Sequence, residues 1–104
     1  MFLVHVELRG GDGVSRGNVF AVNFLGYLGP ICDDYWDEKD ATVVCRQLGF
    51  NSGNATVESF FGDVSNIFAM DQVSCIGDED TIQQCEYETL DDCEFNEGAG
   101  VVCS

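Results

Sequence analysis

The sequence predicts a small, disulfide-bonded domain that combines β-strands with one main α-helix. Three observations predict it: six cysteines in 104 residues, short runs of alternating apolar and polar residues, and one stretch with apolar residues at helical spacing. Disulfides persist in oxidising compartments, so this cysteine content indicates an extracellular domain. The length fits one domain with a modest core, for which cross-links would matter to stability.

The six cysteines are expected to pair with one another. They lie at Cys32, Cys45, Cys75, Cys85, Cys93 and Cys103. Zinc binding is the lesser alternative, because no pair shows the repeated short spacing with histidines that a structural zinc site needs. Six cysteines can pair in about fifteen ways, and their spacing does not choose among these.

The first part of the chain is predicted to form three strands. Residues 4–8 alternate apolar and polar side chains, and the glycine-rich stretch 10–13 then forms a turn. Residues 19–24 form a second strand, and a third strand leads through Tyr27 to Cys32. The last two strands follow each other closely, so we expect them to form a hairpin.

The main helix is predicted at about residues 38–48. Asp37 can cap its start, Asp40 places a carboxylate in its first turn, and Gly49 ends it as a left-handed cap. Apolar residues recur at the spacing of one helical face. This buried face is expected to consist of Ala41, Val44, Cys45 and Leu48.

The second half of the chain carries weaker patterns. Glycine and asparagine punctuate residues 51–66, which we interpret as an irregular surface loop with a glycosylation sequon at Asn54. Residues 66–73 have β character, and a second, short helix is predicted at about 79–86. Residues 100–103 are expected to form a closing strand.

The charge of the chain is strongly negative. Nineteen Asp and Glu against four Lys and Arg give a formal charge of −15. Nucleic acids, heparin-like glycans and anionic lipids would be repelled, whereas cations and basic protein surfaces are favoured. The alternative is that acidity only keeps a secreted domain soluble, and this accounts for most of the charges.

No apolar stretch approaches the ~20 residues that span a bilayer. Residues 1–6 are too short for a signal peptide and lack a cleavage site, so we expect the secretory signal to lie outside this sequence. The chain is therefore interpreted as one module of a longer protein. Residues 1–3 are expected to lie outside the module.

Four segments carry a specific family pattern. They are GPICDDYWD at 29–37, DATVVCRQLG at 40–49, MDQVSCIG at 70–77 and NEGAGVVC at 96–103. In order and spacing they resemble the scavenger receptor cysteine-rich (SRCR) domain family over about residues 4–104. Because Ser15 and Phe50 stand where eight-cysteine members carry an extra pair, the chain resembles the six-cysteine group A.

The resemblance implies a fold and a set of disulfides. The fold is a compact α+β domain in which a curved antiparallel sheet cradles one main helix, in agreement with the elements predicted above. The implied bridges are Cys32–Cys93, Cys45–Cys103 and Cys75–Cys85.

The resemblance also implies a cation site at Asp33, Asp34 and Glu97. A disulfide holds its two α-carbons roughly 5.5 to 6 Å apart, so a Cys32–Cys93 bridge would bring the two aspartates near the chain that leads to Glu97. Gathered carboxylates suit Ca²⁺, or alternatively Mg²⁺, with an affinity that reaches down to millimolar. Asp71 is a candidate for a second, weaker site. The alternative is that these residues are turn and surface charges.

Catalysis has little support in the sequence. The single histidine, His5, lies on the first strand with no motif that places a serine or free cysteine beside it. We therefore predict a noncatalytic extracellular module that binds a protein ligand through an acidic, calcium-binding surface, without nucleic acid and without direct membrane contact.

Two other functions stay open at this stage. SRCR domains also occur beside serine protease and lysyl oxidase domains, so the chain could be an accessory domain of a secreted enzyme. Some members bind microbial polyanions in innate immunity through arginine clusters. That function is disfavoured because the basic residues of this chain are Arg9, Arg16, Lys39 and Arg46.

Overall fold

The computed structural model describes residues 4–12, 14–90 and 92–104. Within these ranges the chain forms seven strands, one α-helix and one short 3-10 helix. The strands are β1 (Val6–Arg9), β2 (Arg16–Val22), β3 (Leu28–Pro30), β4 (Gly53–Thr56), β5 (Asp71–Ser74), β6 (Glu86–Glu88) and β7 (Gly100–Cys103). The α-helix α1 covers Glu38–Gln47, and the 3-10 helix covers Ile82–Gln84.

Five of the strands form one antiparallel sheet. Its order is β1-β2-β7-β4, and β3 pairs with the C-terminal end of β2. Helix α1 packs against β4 and β7, and an apolar core fills the space between the helix and the sheet. Strands β5 and β6 form a separate two-stranded sheet. This architecture confirms the α+β prediction of an antiparallel sheet with one main helix.

Helix α1 confirms its predicted position. The Asp37 carboxylate accepts hydrogen bonds from the N–H groups of Lys39 and Asp40, and the Asp40 side chain accepts one from the Asp37 N–H. This reciprocal capping box satisfies donors that would otherwise lack a partner at the helix start. Gly49 follows the helix at φ +100°, as predicted for a left-handed cap.

Three disulfides tie the elements together. Cys45–Cys103 joins α1 to β7, Cys75–Cys85 closes a short loop, and Cys32–Cys93 links the segment after β3 to the segment before β7. These are the three pairings that the resemblance implies. Bridges that close loops of 61 and 58 residues restrict the unfolded chain more than one that closes 10.

The prediction that residues 51–66 form an irregular loop is wrong in its first part. Gly53–Thr56 is strand β4, which pairs with Gly100–Cys103. Its outer edge is covered by α1, because the Glu38 carboxylate accepts from the Ala55 N–H and the Thr42 hydroxyl donates to the Gly53 carbonyl. The sequon residue Asn54 is exposed on this strand.

Other boundaries also differ from prediction. The prediction of a second helix at about 79–86 is wrong in its length, since only one 3-10 turn forms there. The chain must reach Cys85 and then extend into β6. Strand β2 starts at Arg16 and ends at Val22, since Asn23 begins a turn. Of the predicted turn 10–13, residue 13 lies outside the described residues. In the described part of the chain, no helix has the length and apolar character needed to span a membrane.

Candidate functional site

Two distant segments of the chain meet beside the Cys32–Cys93 bridge. The disulfide holds the two α-carbons 6.2 Å apart. Immediately after it, the Asp33 N–H donates to the Glu97 carbonyl at 2.8 Å, and Cys32 forms an isolated antiparallel bridge with Gly98. Backbone pairing and a covalent link together therefore place the aspartate pair against the chain that carries Glu97.

Three carboxylates gather at this junction. The ligand atoms of Asp33, Asp34, Glu97 and the neighbouring Cys32 all lie within 4.8 Å of one another, and the three acidic residues are half-buried. The Cys32 sulfur is bonded to Cys93, so only the carboxylates offer metal ligands. We call this surface, together with the adjacent Glu58, the acidic face.

Backbone donors satisfy only part of these carboxylates. Asp33 Oδ2 accepts from the Glu58 N–H at 2.7 Å, and Glu97 Oε1 accepts from the Glu94 N–H at 2.8 Å. Among the described residues, the three ion pairs involve other carboxylates, those of Glu7 and Asp12. The negative charge of the acidic face is therefore not neutralised by a Lys, Arg or His side chain of the described residues.

The electrostatics at Asp33 reflect this crowding. Burial is the main cause that raises the pKa of the Asp33 carboxyl, the hydrogen bond from the Glu58 N–H opposes it, and repulsion from Glu97 and its acidic neighbours adds to it. A cation bound among the carboxylates would attract the ionised form of Asp33 and so oppose the rise in its pKa.

Glu58 belongs to the acidic face but is missed by sequence reasoning. It lines a surface depression of about 550 Å³ with Asp33, Asn96 and Glu97. Its position depends on Ser59, whose hydroxyl donates to the Phe95 carbonyl at 2.8 Å and accepts from the Gly98 N–H at 2.8 Å. Glu58 itself has φ +58°, a conformation that few residues other than glycine adopt.

Asp71 lies on the inner side of the same junction. Its carboxylate is buried, and its ligand atom lies within 4.8 Å of those of Asp34, Cys32 and Cys93, both sulfurs being part of the disulfide. Asp71 Oδ1 accepts from the Gln72 N–H at 2.8 Å. Asp34 is thus common to the outer and the inner cluster.

The remaining candidate residues lie elsewhere. Asp37 and Asp40 cap α1, which agrees with their predicted role. His5 is exposed on the approach to β1, with its Nε2 2.7 Å from the Glu7 carboxylate.

A comparison with protein families decides the classification. The model of the family "Scavenger receptor cysteine-rich domain" matches residues 9–104. The chain belongs to the SRCR family. It is 41% identical over 101 residues to "Macrophage receptor MARCO" of Mus musculus and 39% identical over 102 residues to an SRCR superfamily protein of Patiria pectinifera. It spans 18% and 9% of the lengths of these relatives.

Solved SRCR structures share the fold. The third SRCR domain of murine neurotrypsin has a TM-score of 0.84 at 34% identity, covering 95% of this chain and 94% of that one. The SRCR domain of mouse MARCO, in a dimeric form, has a TM-score of 0.77 at 34% identity, covering 100% of this chain and 93% of that one. The SRCR architecture therefore extends over nearly the whole chain.

Proposed function

We propose that this SRCR domain is a noncatalytic extracellular module, of the six-cysteine group A, that binds a protein ligand with the help of Ca²⁺ on the acidic face. The observation that carries the proposal is the gathering of Asp33, Asp34 and Glu97 within 4.8 Å at a half-exposed position. Three disulfides support an oxidising location, whether the parent protein is secreted or a membrane receptor.

The chemistry of the acidic face fits a hard cation. Ca²⁺ takes six to eight oxygen ligands at about 2.3–2.6 Å, and carboxylates are its usual protein ligands. Three side chains leave part of that shell to water or to an acidic group of a partner. In this proposal the cation either bridges to the ligand or holds the 33–34 and 94–97 segments in the conformation that makes contact. Mg²⁺ is the weaker alternative, because it demands a tighter octahedral site.

Asp71 extends the proposal inward. In this proposal Asp71 contributes to a second, weaker cation site, and its proximity to Asp34 supports that role. Asp92 lies beside Asp71 around a small depression and adds negative field there. Its neighbour Asp91 lies outside the described residues.

Calorimetric titration with Ca²⁺ tests the metal part of the proposal. We expect binding with micromolar to millimolar affinity, and a loss of at least about tenfold in Glu97→Gln, since one ligand charge is removed. Asp80→Asn is the matched control, because Asp80 is exposed and belongs to neither cluster. Absence of binding up to several millimolar, or equal affinity in Glu97→Gln, would refute the metal site.

An accessory role in a larger secreted enzyme is the second candidate. It is favoured by the 34% identity to an SRCR domain of neurotrypsin. Reading the parent reading frame on both sides of this chain distinguishes the candidates. A catalytic domain supports the accessory role, whereas a transmembrane segment or further SRCR copies support the receptor role.

Polyanion scavenging is disfavoured by the position of the basic residues. Arg9 and Arg16 pair with Glu7 and Asp12, so their charges are partly neutralised within the domain. We expect no retention on dextran sulfate, with or without Ca²⁺. Retention on dextran sulfate would support the scavenging function.

Asn54 is proposed to carry an N-linked glycan. Asn54 is exposed on β4, so a glycan attached to its side chain would extend into solvent. Intact mass measured before and after peptide N-glycosidase treatment of secreted protein tests this. An unchanged mass would refute it.

A further inference from the structure

A second surface, away from the acidic face, combines an exposed aromatic ring with two carboxylates. It is an open groove of about 610 Å³ between the tip of the β2–β3 hairpin and the two-stranded sheet β5–β6. The residues that matter for its chemistry are Phe24, Gln72, Ser74, Glu86, Tyr87 and Glu88. We call it the hairpin groove.

The aromatic wall of the hairpin groove is held by hydrogen bonds and a ring contact. Asn23 fixes the hairpin tip, because its Oδ1 accepts from the N–H groups of Leu25 and Tyr27 and its Nδ2 donates to the Ala69 carbonyl at 2.9 Å. The Phe24 N–H donates to the Tyr87 hydroxyl at 2.9 Å, and the two rings meet edge to face at 5.9 Å.

Phe24 is held in place and yet largely exposed. Its relative exposure is 61%, and Leu25 beside it reaches 73%. A large apolar ring in water is unfavourable, and a ring that is already ordered loses little entropy when a partner covers it. A preordered, exposed aromatic side chain is therefore suited to anchor a protein contact.

The floor of the groove is acidic. Glu86 and Glu88 are both exposed on β6. Opposite them a bulge in β5 places one extra residue between the pairs Asp71–Glu88 and Ser74–Glu86, and Gln72 in this bulge has φ +53°. Bulges of this kind redirect side chains at the edges of sheets and beside functional sites.

We propose that the hairpin groove docks a basic and apolar segment of a protein partner. A Lys or Arg of the partner lies between Glu86 and Glu88, and an adjacent apolar side chain covers Phe24. Charge complementarity selects this occupant, because a polyanion or an anionic membrane is repelled by the two carboxylates and by the net charge of −15.

A second copy of the same chain is a poorer occupant. It also carries a charge of −15, and two of its four Lys and Arg residues, Arg9 and Arg16, are already paired with Glu7 and Asp12. The open shape of the groove suits side chains of a protein surface better than a small molecule, which needs deeper enclosure. The hairpin groove needs no cation, so it is independent of the function proposed for the acidic face.

Amide chemical shifts of the ¹⁵N-labelled domain, titrated with a short peptide that alternates Lys and Leu in the presence of EDTA, test the proposal. We expect shifts at Phe24, Gln72, Ser74 and 86–88, and much weaker binding of peptides that alternate Lys with Ser or Glu with Leu. EDTA and a Glu97→Gln variant should leave the affinity unchanged, which separates this groove from the acidic face.

Matched variants make the result specific. Phe24→Ser, and separately Glu86→Gln with Glu88→Gln, should each weaken the peptide by at least about fivefold, with the second also reducing its salt dependence. Phe60→Ser removes a ring that is even more exposed, at 71%, and Asp78→Asn with Asp80→Asn removes two exposed charges that do not line the groove, so both should bind as wild type.

Three results would overturn the proposal. The first is shifts confined to 33–34 and 94–97, which would mean that the peptide uses only the acidic face. The second is equal weakening by the groove variants and their controls, which would indicate nonspecific attraction. The third is a concentration-dependent dimer in sedimentation equilibrium that Phe24→Ser abolishes, which would make the groove an interface between copies of this chain.

Discussion

Two groups of carboxylates behave in opposite ways, although the aspartates of both groups lie within residues 33–40 of the sequence. At the start of α1, both carboxylate oxygens of Asp40 and Oδ1 of Asp37 accept from backbone N–H groups, including that of Cys75 at 2.8 Å from Asp40. On the acidic face, Asp33, Asp34 and Glu97 are gathered with few donors. The same residue type is therefore structural where the backbone satisfies it, and available to a ligand where it does not.

The largest expected effect separates the two groups through the disulfides. Replacing Cys32 and Cys93 by serine should lower the free energy of unfolding by about 2–5 kcal/mol and also abolish Ca²⁺ binding, because the link that gathers the acidic face is lost. Urea denaturation and calorimetry measure the two effects.

Cys75→Ser with Cys85→Ser is the control for the bridge. This loop closes 10 residues instead of 61, so the loss of stability should be about 1–2 kcal/mol smaller, with Ca²⁺ binding retained. If the domain without Cys32–Cys93 bound Ca²⁺ as wild type does, the covalent link would not be what gathers the acidic face.

Single aspartate substitutions test directly whether the two groups of carboxylates differ in role. Asp40→Ala leaves the buried Cys75 N–H and the partly buried Asp37 N–H without their acceptor, so it should cost about 2–3 kcal/mol of stability and leave Ca²⁺ affinity unchanged. Asp34→Ala should change stability by less than about 0.5 kcal/mol and remove Ca²⁺ binding. Equal effects of the two variants on both measurements would mean that the two groups of carboxylates do not differ in role.

The pH dependence of stability should reflect the protonation of the Asp40 carboxyl. Burial raises the pKa of this carboxyl to about 6, against the hydrogen bonds from the Cys75 and Asp37 N–H groups. Because the folded-state pKa lies above the unfolded one, the stabilisation by protonation is complete below the unfolded pKa and is lost as the pH rises through about 6.

The difference in Tm between wild type and Asp40→Asn isolates this effect from the general repulsion among the acidic residues. It should shift in favour of wild type as the pH falls from 7 to about 5. A difference that stays constant over this range would contradict the assigned pKa. The raised pKa of Asp33 acts in the same direction in both proteins, so its contribution cancels in this difference.

The smallest effect concerns Tyr35, which lies between the two groups. It has φ +65° and is 75% exposed, so its backbone adopts a conformation that Asn tolerates better than Tyr. Tyr35→Asn should raise the free energy of unfolding by about 0.5–1 kcal/mol. Tyr35→Phe keeps the ring and should leave stability unchanged. A destabilised Tyr35→Asn would indicate that the ring makes a contact worth more than the strain.

Helix α1 could be predicted from the sequence because its signals are local. A capping aspartate, an acidic first turn, an apolar face and a terminal glycine all lie within about four turns of chain. Strand β4 could not be predicted, because Gly53–Thr56 has no alternating pattern of its own. Its conformation comes from pairing with β7 and from Glu38 and Thr42 of α1.

The residues of the acidic face also differ in whether the sequence predicts them. Asp33, Asp34 and Glu97 were predicted by the family resemblance, and the disulfide gives a physical reason why they meet. Glu58 carries no sequence signal, because its approach to Asp33 depends on bonds between Ser59 and the 95–98 segment, almost forty residues away. The hairpin groove likewise depends on a contact between Phe24 and Tyr87, which are 63 residues apart.

A crystal structure of the domain grown with Ca²⁺ would show directly whether the acidic face binds a cation. We expect one cation bound by carboxylate oxygens of Asp33, Asp34 and Glu97 at about 2.3–2.6 Å, with the rest of its shell facing solvent. If saturating Ca²⁺ left no cation among these three carboxylates, or if a cation bound only at other residues, the proposed calcium site would be wrong.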